Sequence, residues 1–161
     1  MRLDLRQEFA ELYAHVADRV RGFKPGTNKG PGKPGPIQMI HVGYETAQSA
    51  WAVIVFDTRP DAAVDGVWNS YIEGNFLERP KWLEADETIL EGPIILVKLD
   101  GSAIELPAES DLAPLMGEFV TAVVVKARAD GIFKQLPMDP NCRISIEHHE
   151  GAYGWTESAL L

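Results

Sequence analysis

Four carboxylates cluster in one short stretch: Asp57, Asp61 and Asp65, with Glu73 a few residues on. Acidic side chains at such spacing suggest a calcium loop. With Asp61 at position one, Asp65 and Gly66 fall at positions five and six as that loop requires, but Ala63 and Ile72 stand where two further ligands belong, and Glu73 misses the last by one residue. The spacing therefore argues against calcium. It leaves a bland reading, in which Asp57 pairs with Arg59 or caps a turn, and a sharper one, in which the acids line a small-ligand or catalytic pocket. His41, His148, His149 and Cys142 are the candidate soft metal ligands. On one strand, Cys142 and His148 stand roughly 20 Å apart, and adjacent His148 and His149 point to opposite faces. No Cys-x-x-Cys or His-Glu-x-x-His spacing occurs. No metal and no cofactor is expected.

Other chemistry is equally sparse. The stretch 24–36, KPGTNKGPGKPGP, superficially resembles a phosphate-binding loop. Counting from Gly26, however, Pro31 occupies the place of the second required Gly. Gly32-Lys33 is followed by Pro34, which has no hydroxyl for magnesium. The segment reads as a basic, Pro/Gly-rich connector. No Gly-x-Ser-x-Gly elbow is present. Cys142, the lone cysteine, has only Arg143 beside it to activate a thiolate, and reads as a structural thiol. Trp51 and Trp68 fit strand cores. Trp82, among the charges of 78–82, suits either packing on its own sheet or a protein interface.

The elements that position these residues follow from periodicity. Leu5, Phe9, Leu12, Tyr13, Val16 and Val20 form one apolar stripe, predicting an amphipathic helix over 3–21 that stops at Gly22. Strands are expected over 37–44, 50–58 and 67–73, the second apolar throughout and so central in its sheet. Residues 76–90 predict a short helix or an irregular excursion. Residues 94–99 and 102–106 predict a hairpin closed by Asp100-Gly101 in a type I′ turn. Ser110 is a candidate cap for a second helix whose stripe runs from Leu112 through Phe119 and Val123 to Ala127, ended by Gly131. A last hairpin is expected from 142–149 and 152–156 around Glu150-Gly151. The fold class is α+β: a mainly antiparallel sheet of about six or seven strands with two long amphipathic helices packed on it. One domain is expected over 1–161, with helix 1–22, connector 23–36, and the sheet and second helix over 37–161.

Composition bounds the function. The chain has 161 residues, 45% of them hydrophobic, enough to fold without staples. A single cysteine, no apolar signal core and no apolar run longer than 50–56 predict a cytoplasmic protein with no membrane partner. Net charge is −9. Residues 1–36 hold seven Lys/Arg and four Asp/Glu, whereas 37–161 hold eight and twenty. A body with a net charge of −12 repels nucleic acid and favours a basic protein partner.

The stretches Phe56-Asp57-Thr58-Arg59-Pro60, Asp65-Gly66-Val67-Trp68, Glu73-Gly74-Asn75 and Arg79-Pro80-Lys81-Trp82 resemble uncharacterised small bacterial proteins, some of them similar to immunity proteins of polymorphic-toxin systems. They lie within residues 56–82, about a sixth of the chain. The resemblance implies a cytosolic α+β protein that binds and blocks a toxin domain, and it assigns no residue a role. The candidate binding residues are Asp57, Arg59, Asp61, Asp65, Trp68, Glu73, Arg79 and Trp82, with no catalytic residue. Two functions follow as expectations: a non-enzymatic, acidic inhibitor of a basic partner, or a small-ligand protein or enzyme acting at the acidic turn 57–73.

Overall fold

The computed structural model describes residues 2–23, 35–45, 51–57, 70–77, 93–107, 113–149 and 155–161. The chain opens with strand β1 (Arg2–Asp4) and helix α1 (Leu5–Gly22). Strands β2 (Ile37–Glu45), β3 (Trp51–Asp57), β4 (Ser70–Leu77), β5 (Ile94–Val97) and β6 (Ala103–Leu106) follow. Helix α2 (Ala113–Ala129), a short 3-10 helix (Ile132–Gln135), β7 (Met138–His149) and β8 (Trp155–Leu160) complete the order.

The α+β class and the two helices are as the sequence predicts, but the sheet is not single. The described strands form a five-stranded sheet, β4-β3-β2-β7-β8, and a three-stranded sheet, β1-β5-β6. Pairing is mostly antiparallel, with two parallel exceptions: β1 with β5 and β2 with β7. Both parallel pairs join strands far apart in sequence, which local periodicity cannot register. The extra strand β1 also explains why α1 starts at Leu5 rather than residue 3. Arg2–Asp4 are spent on β5, and Asp4 then caps the helix in an extended conformation, accepting from the Arg6 amide at 3.1 Å. The Arg6 guanidinium also donates to Asp4, and that bond is the main reason its carboxyl falls to about 2.

One apolar core joins these parts. Leu5, Leu12, Val16 and Val20 of α1 and Met116, Phe119, Val120, Val123, Val124 and Ala127 of α2 bury against one face of the large sheet. That face presents Ile40 and Val42 of β2, Ile54 and Phe56 of β3, and Ile144 and Ile146 of β7. Leu96 brings the small sheet into the same cluster. The helices are clipped together at the rim. Tyr13 donates to Asp130 at 2.6 Å, Lys126 donates to the same carboxylate at 2.8 Å, and Phe9 meets Phe119 edge-on. No helix among the described residues is long and apolar enough to cross a membrane.

Two local departures have simple causes. β7 begins at Met138, inside what the prolines mark as a loop. Between the pairs Ile37↔Met138 and Met39↔Arg143, β2 advances two residues while β7 advances five. Pro140 sits in that irregularity, where no ladder bond is asked of it. The β5–β6 turn is not type I′. Gly101 alone has positive φ, at 85°, and the Gly101 amide bonds to the Lys98 carbonyl while the Lys98 amide bonds to that of Ser102. This is a three-residue loop ending in a glycine bulge, with Asp100 accepting from the Ser102 amide and hydroxyl. The connector 24–34, the turn after β3, the segment 78–92, the Ser110 cap and the Glu150-Gly151 turn lie outside the described residues.

The two glycines Gly22 and Gly101 should respond oppositely to alanine. Gly101→Ala forces a side chain to positive φ and should cost about 1 kcal/mol. Gly22 closes α1 without positive φ and with open space around it. Gly22→Ala should be neutral or stabilising by about 0.5 kcal/mol, and urea unfolding of both variants checks the contrast.

Candidate functional site

Strand β2 is paired on both sides, and residues directly opposite each other share a sheet face. Its core-facing residues alternate with Met39, His41 and Gly43, which project to the side away from the helices. In register with them stand Val55 and Asp57 of β3 and Arg143, Ser145 and Glu147 of β7. An antiparallel sheet often leaves such a face to water. Here His41, Asp57, Ser145 and Glu147 are all under 5% exposed. The buried polar groups therefore have to satisfy one another.

Three of them do so around one oxygen. Glu147 Oε1 lies 2.7 Å from His41 Nδ1 and accepts the Ser145 hydroxyl hydrogen bond. Ser145 Oγ is also 2.9 Å from His41 Nδ1. Burial is the strongest influence on Glu147 and acts to raise its pKa. Hydrogen bonds from His41 and Ser145, aided by the electrostatic effect of His41, outweigh it, so the carboxyl is held below its ordinary value. The composition suggests a nucleophile triad, but the geometry is different. In a triad the acid holds one ring nitrogen and the hydroxyl the other. Here both meet Nδ1, and the Ser145 proton is directed to the carboxylate. Ser145 orients Glu147; it is not an activated nucleophile.

The sequence-predicted site residues divide unevenly. Asp57 is the last residue of β3, fully buried and in register with Met39 and Ser70. It is thus no surface turn residue, because β2 and β4 flank its strand. The Glu73 backbone lies in β4, at the irregularity between the pairs Val53↔Asn75 and Val55↔Ile72. Arg59, Asp61, Asp65, Trp68, Arg79 and Trp82 lie outside the described residues. Ser145 and Glu147 drew no attention in the sequence, and His41 did so only as a metal ligand. Their one local signal is the Ser-x-Glu alternation against Ile144 and Ile146, which reads equally well as a solvated face.

Metal chemistry finds no constellation here. Among the described residues, no group of three or more His, Cys, Asp and Glu could hold a metal ion. His148 projects to the opposite face from His41, beside Tyr44, with their rings stacked at 5.1 Å. Cys142 is half-buried, and burial, followed by the charge of Asp139, pushes its thiol up to about 11. The chain matches no protein family model, no curated protein and no solved structure.

Two measurements check this site. Because the Glu147 pKa is depressed in the folded chain, its contribution to stability is present above the unfolded value of about 4.3 and is lost as pH falls through the lower folded value. Glu147→Gln should therefore lose less stability than the parent between pH 5 and the acid limit, as read by urea unfolding at stepped pH. Alkylation of Cys142 by iodoacetamide at pH 8 should run at least about tenfold slower than that of free cysteine, because so little thiolate is present.

Proposed function

We propose that the chain is a non-enzymatic binding protein that docks a basic protein partner. Its most concrete form is an immunity-type inhibitor that occludes a toxin domain in the bacterial cytoplasm. The observation that carries this reading is the charge imbalance beyond residue 36. Setting aside Asp57 and Glu147, which are buried, eighteen acidic side chains still outnumber eight basic ones there. Such a field steers encounter with a cationic surface, and short-range contacts then set the lifetime of the complex. The resemblance of the 56–82 segment to immunity-type proteins points the same way.

A second reading, a small-ligand protein or enzyme working at the segment 57–73, is favoured by one observation. Asp57 is buried on the same sheet face as His41, Ser145 and Glu147, as a pocket carboxylate would be and a solvated turn residue would not.

Co-expression with a panel of basic toxin domains, including any encoded beside its gene, tests the first reading. Rescue of growth is expected, and failure to rescue against every one of them rejects it. With the rescued pair in hand, replacing the exposed Glu105 and Glu118 by Lys should slow association severalfold at low salt and hardly at all at high salt.

A further inference from the structure

The end of the buried polar row holds a conflict that the described residues do not resolve. Glu147 of β7 is paired directly with Glu157 of β8. Residues opposite one another in an antiparallel pair have Cβ atoms about 5 Å apart, and like charges there repel. Glu147 is 4% exposed, whereas Glu157 is exposed, so the pair sets a buried carboxylate beside one in contact with solvent. The first oxygen of Glu147 is fully engaged by His41 and Ser145. The second, Oε2, is buried without a hydrogen-bond partner. A bare oxygen on a buried carboxylate is costly and calls for a donor.

The surroundings favour a cationic donor. Directly across on β2 stands Gly43, and the β2 side chain that does reach Glu147, His41, is committed to its first oxygen. The described basic residue on this face, Arg143, stands four residues back along β7, roughly 13 Å away. The pair supplies two carboxylates, with the Ser145 hydroxyl and the His41 ring already engaged behind Glu147, too few ligands for a caged divalent ion but well matched to an ammonium. A primary ammonium carries three donors; it can give one to Glu147 Oε2 and another to Glu157.

We propose that Glu147 and Glu157 form a binding site for a primary ammonium group, with His41 and Ser145 fixing the buried carboxylate from behind. Two sources share this chemistry, a free small amine and a lysine side chain. The site rests on the β7–β8 pairing and not on the identity of any protein partner, so it stands or falls separately from the inhibitor reading.

Titration with n-butylammonium, with an acetylated and amidated Gly-Lys-Gly peptide, and with n-butanol as the neutral control tests it. The readouts are melting temperature and the carboxyl carbon resonances of glutamate. Saturable stabilisation by one or both cationic probes is expected, with the Glu147 and Glu157 resonances moving together and n-butanol inert. Preference for butylammonium identifies a free amine, and preference for the peptide identifies a lysine. Glu157→Gln, at an exposed position, should weaken binding about tenfold, as loss of a charge-assisted bond does. Glu147→Gln should abolish it, and Glu105→Gln on the small sheet should leave it unchanged. No saturation with either probe, an equal response to n-butanol, a response that survives Glu157→Gln, or saturation by magnesium or calcium alone overturns the proposal.

Discussion

Strand β2 is hydrogen-bonded along most of its length on both sides, antiparallel to β3 and parallel to β7, and both of its faces are buried. Much of the structure follows from that constraint. The face carrying Ile40 and Val42 needs apolar cover, which α1 and α2 supply with their stripes. The face carrying His41 cannot rely on water, so its polar groups must meet partners from adjacent strands. Ser145 and Glu147 stand at the register positions that provide them. The parallel alignment of β7 sets this register: with Ser145 directly across from His41, Glu147 falls one diagonal step further, within reach of the ring.

The same constraint separates what could be read locally from what could not. The α1 stripe, the all-apolar β3 and the hairpin at Asp100-Gly101 are each determined by residues within one or two turns of chain. Their existence was legible for that reason. The turn type was not, because Asp100 keeps negative φ and the strain passes to Gly101 alone. The β2–β7 and β1–β5 pairings join segments separated by most of the chain. Nothing in the alternation of Arg143, Ser145 and Glu147 says whether that side meets water or protein. Read as a solvated face, the alternation hides the polar row. Read with β2 beside it, His41, Ser145 and Glu147 become one group. Asp57 falls within the central strand that periodicity predicts; what the sequence leaves open is whether its side chain joins the acids of the following turn, and the pairing of β3 with β2 and β4 buries it instead.

Burial also changes how the charge should be weighed. Formal charge treats every carboxylate as visible to a partner. Asp57 and Glu147 are not, and Glu8 lies on the buried stripe of α1. What remains is still acidic and remains the motive for a basic partner. The buried acids have a different physical role. Glu147 fixes hydrogen-bond geometry in the sheet through His41 and Ser145, and across the β7–β8 pair from the exposed Glu157 it keeps one buried oxygen without a donor. A long-range field and a short-range acceptor are compatible features of one molecule, because the first acts over a Debye length and the second over a single hydrogen bond.

The buried row of His41, Ser145 and Glu147 depends on β2 being paired on both sides. Amide hydrogen exchange across residues 39–44, measured residue by residue, tests that directly. In a strand with two hydrogen-bonded neighbours, successive amides point alternately to β3 and β7, so all of them should exchange slowly, with opening energies near that of global unfolding. If every second amide of this stretch exchanged at the rate of an exposed loop, β7 would not be its partner and the buried row of His41, Ser145 and Glu147 would not exist.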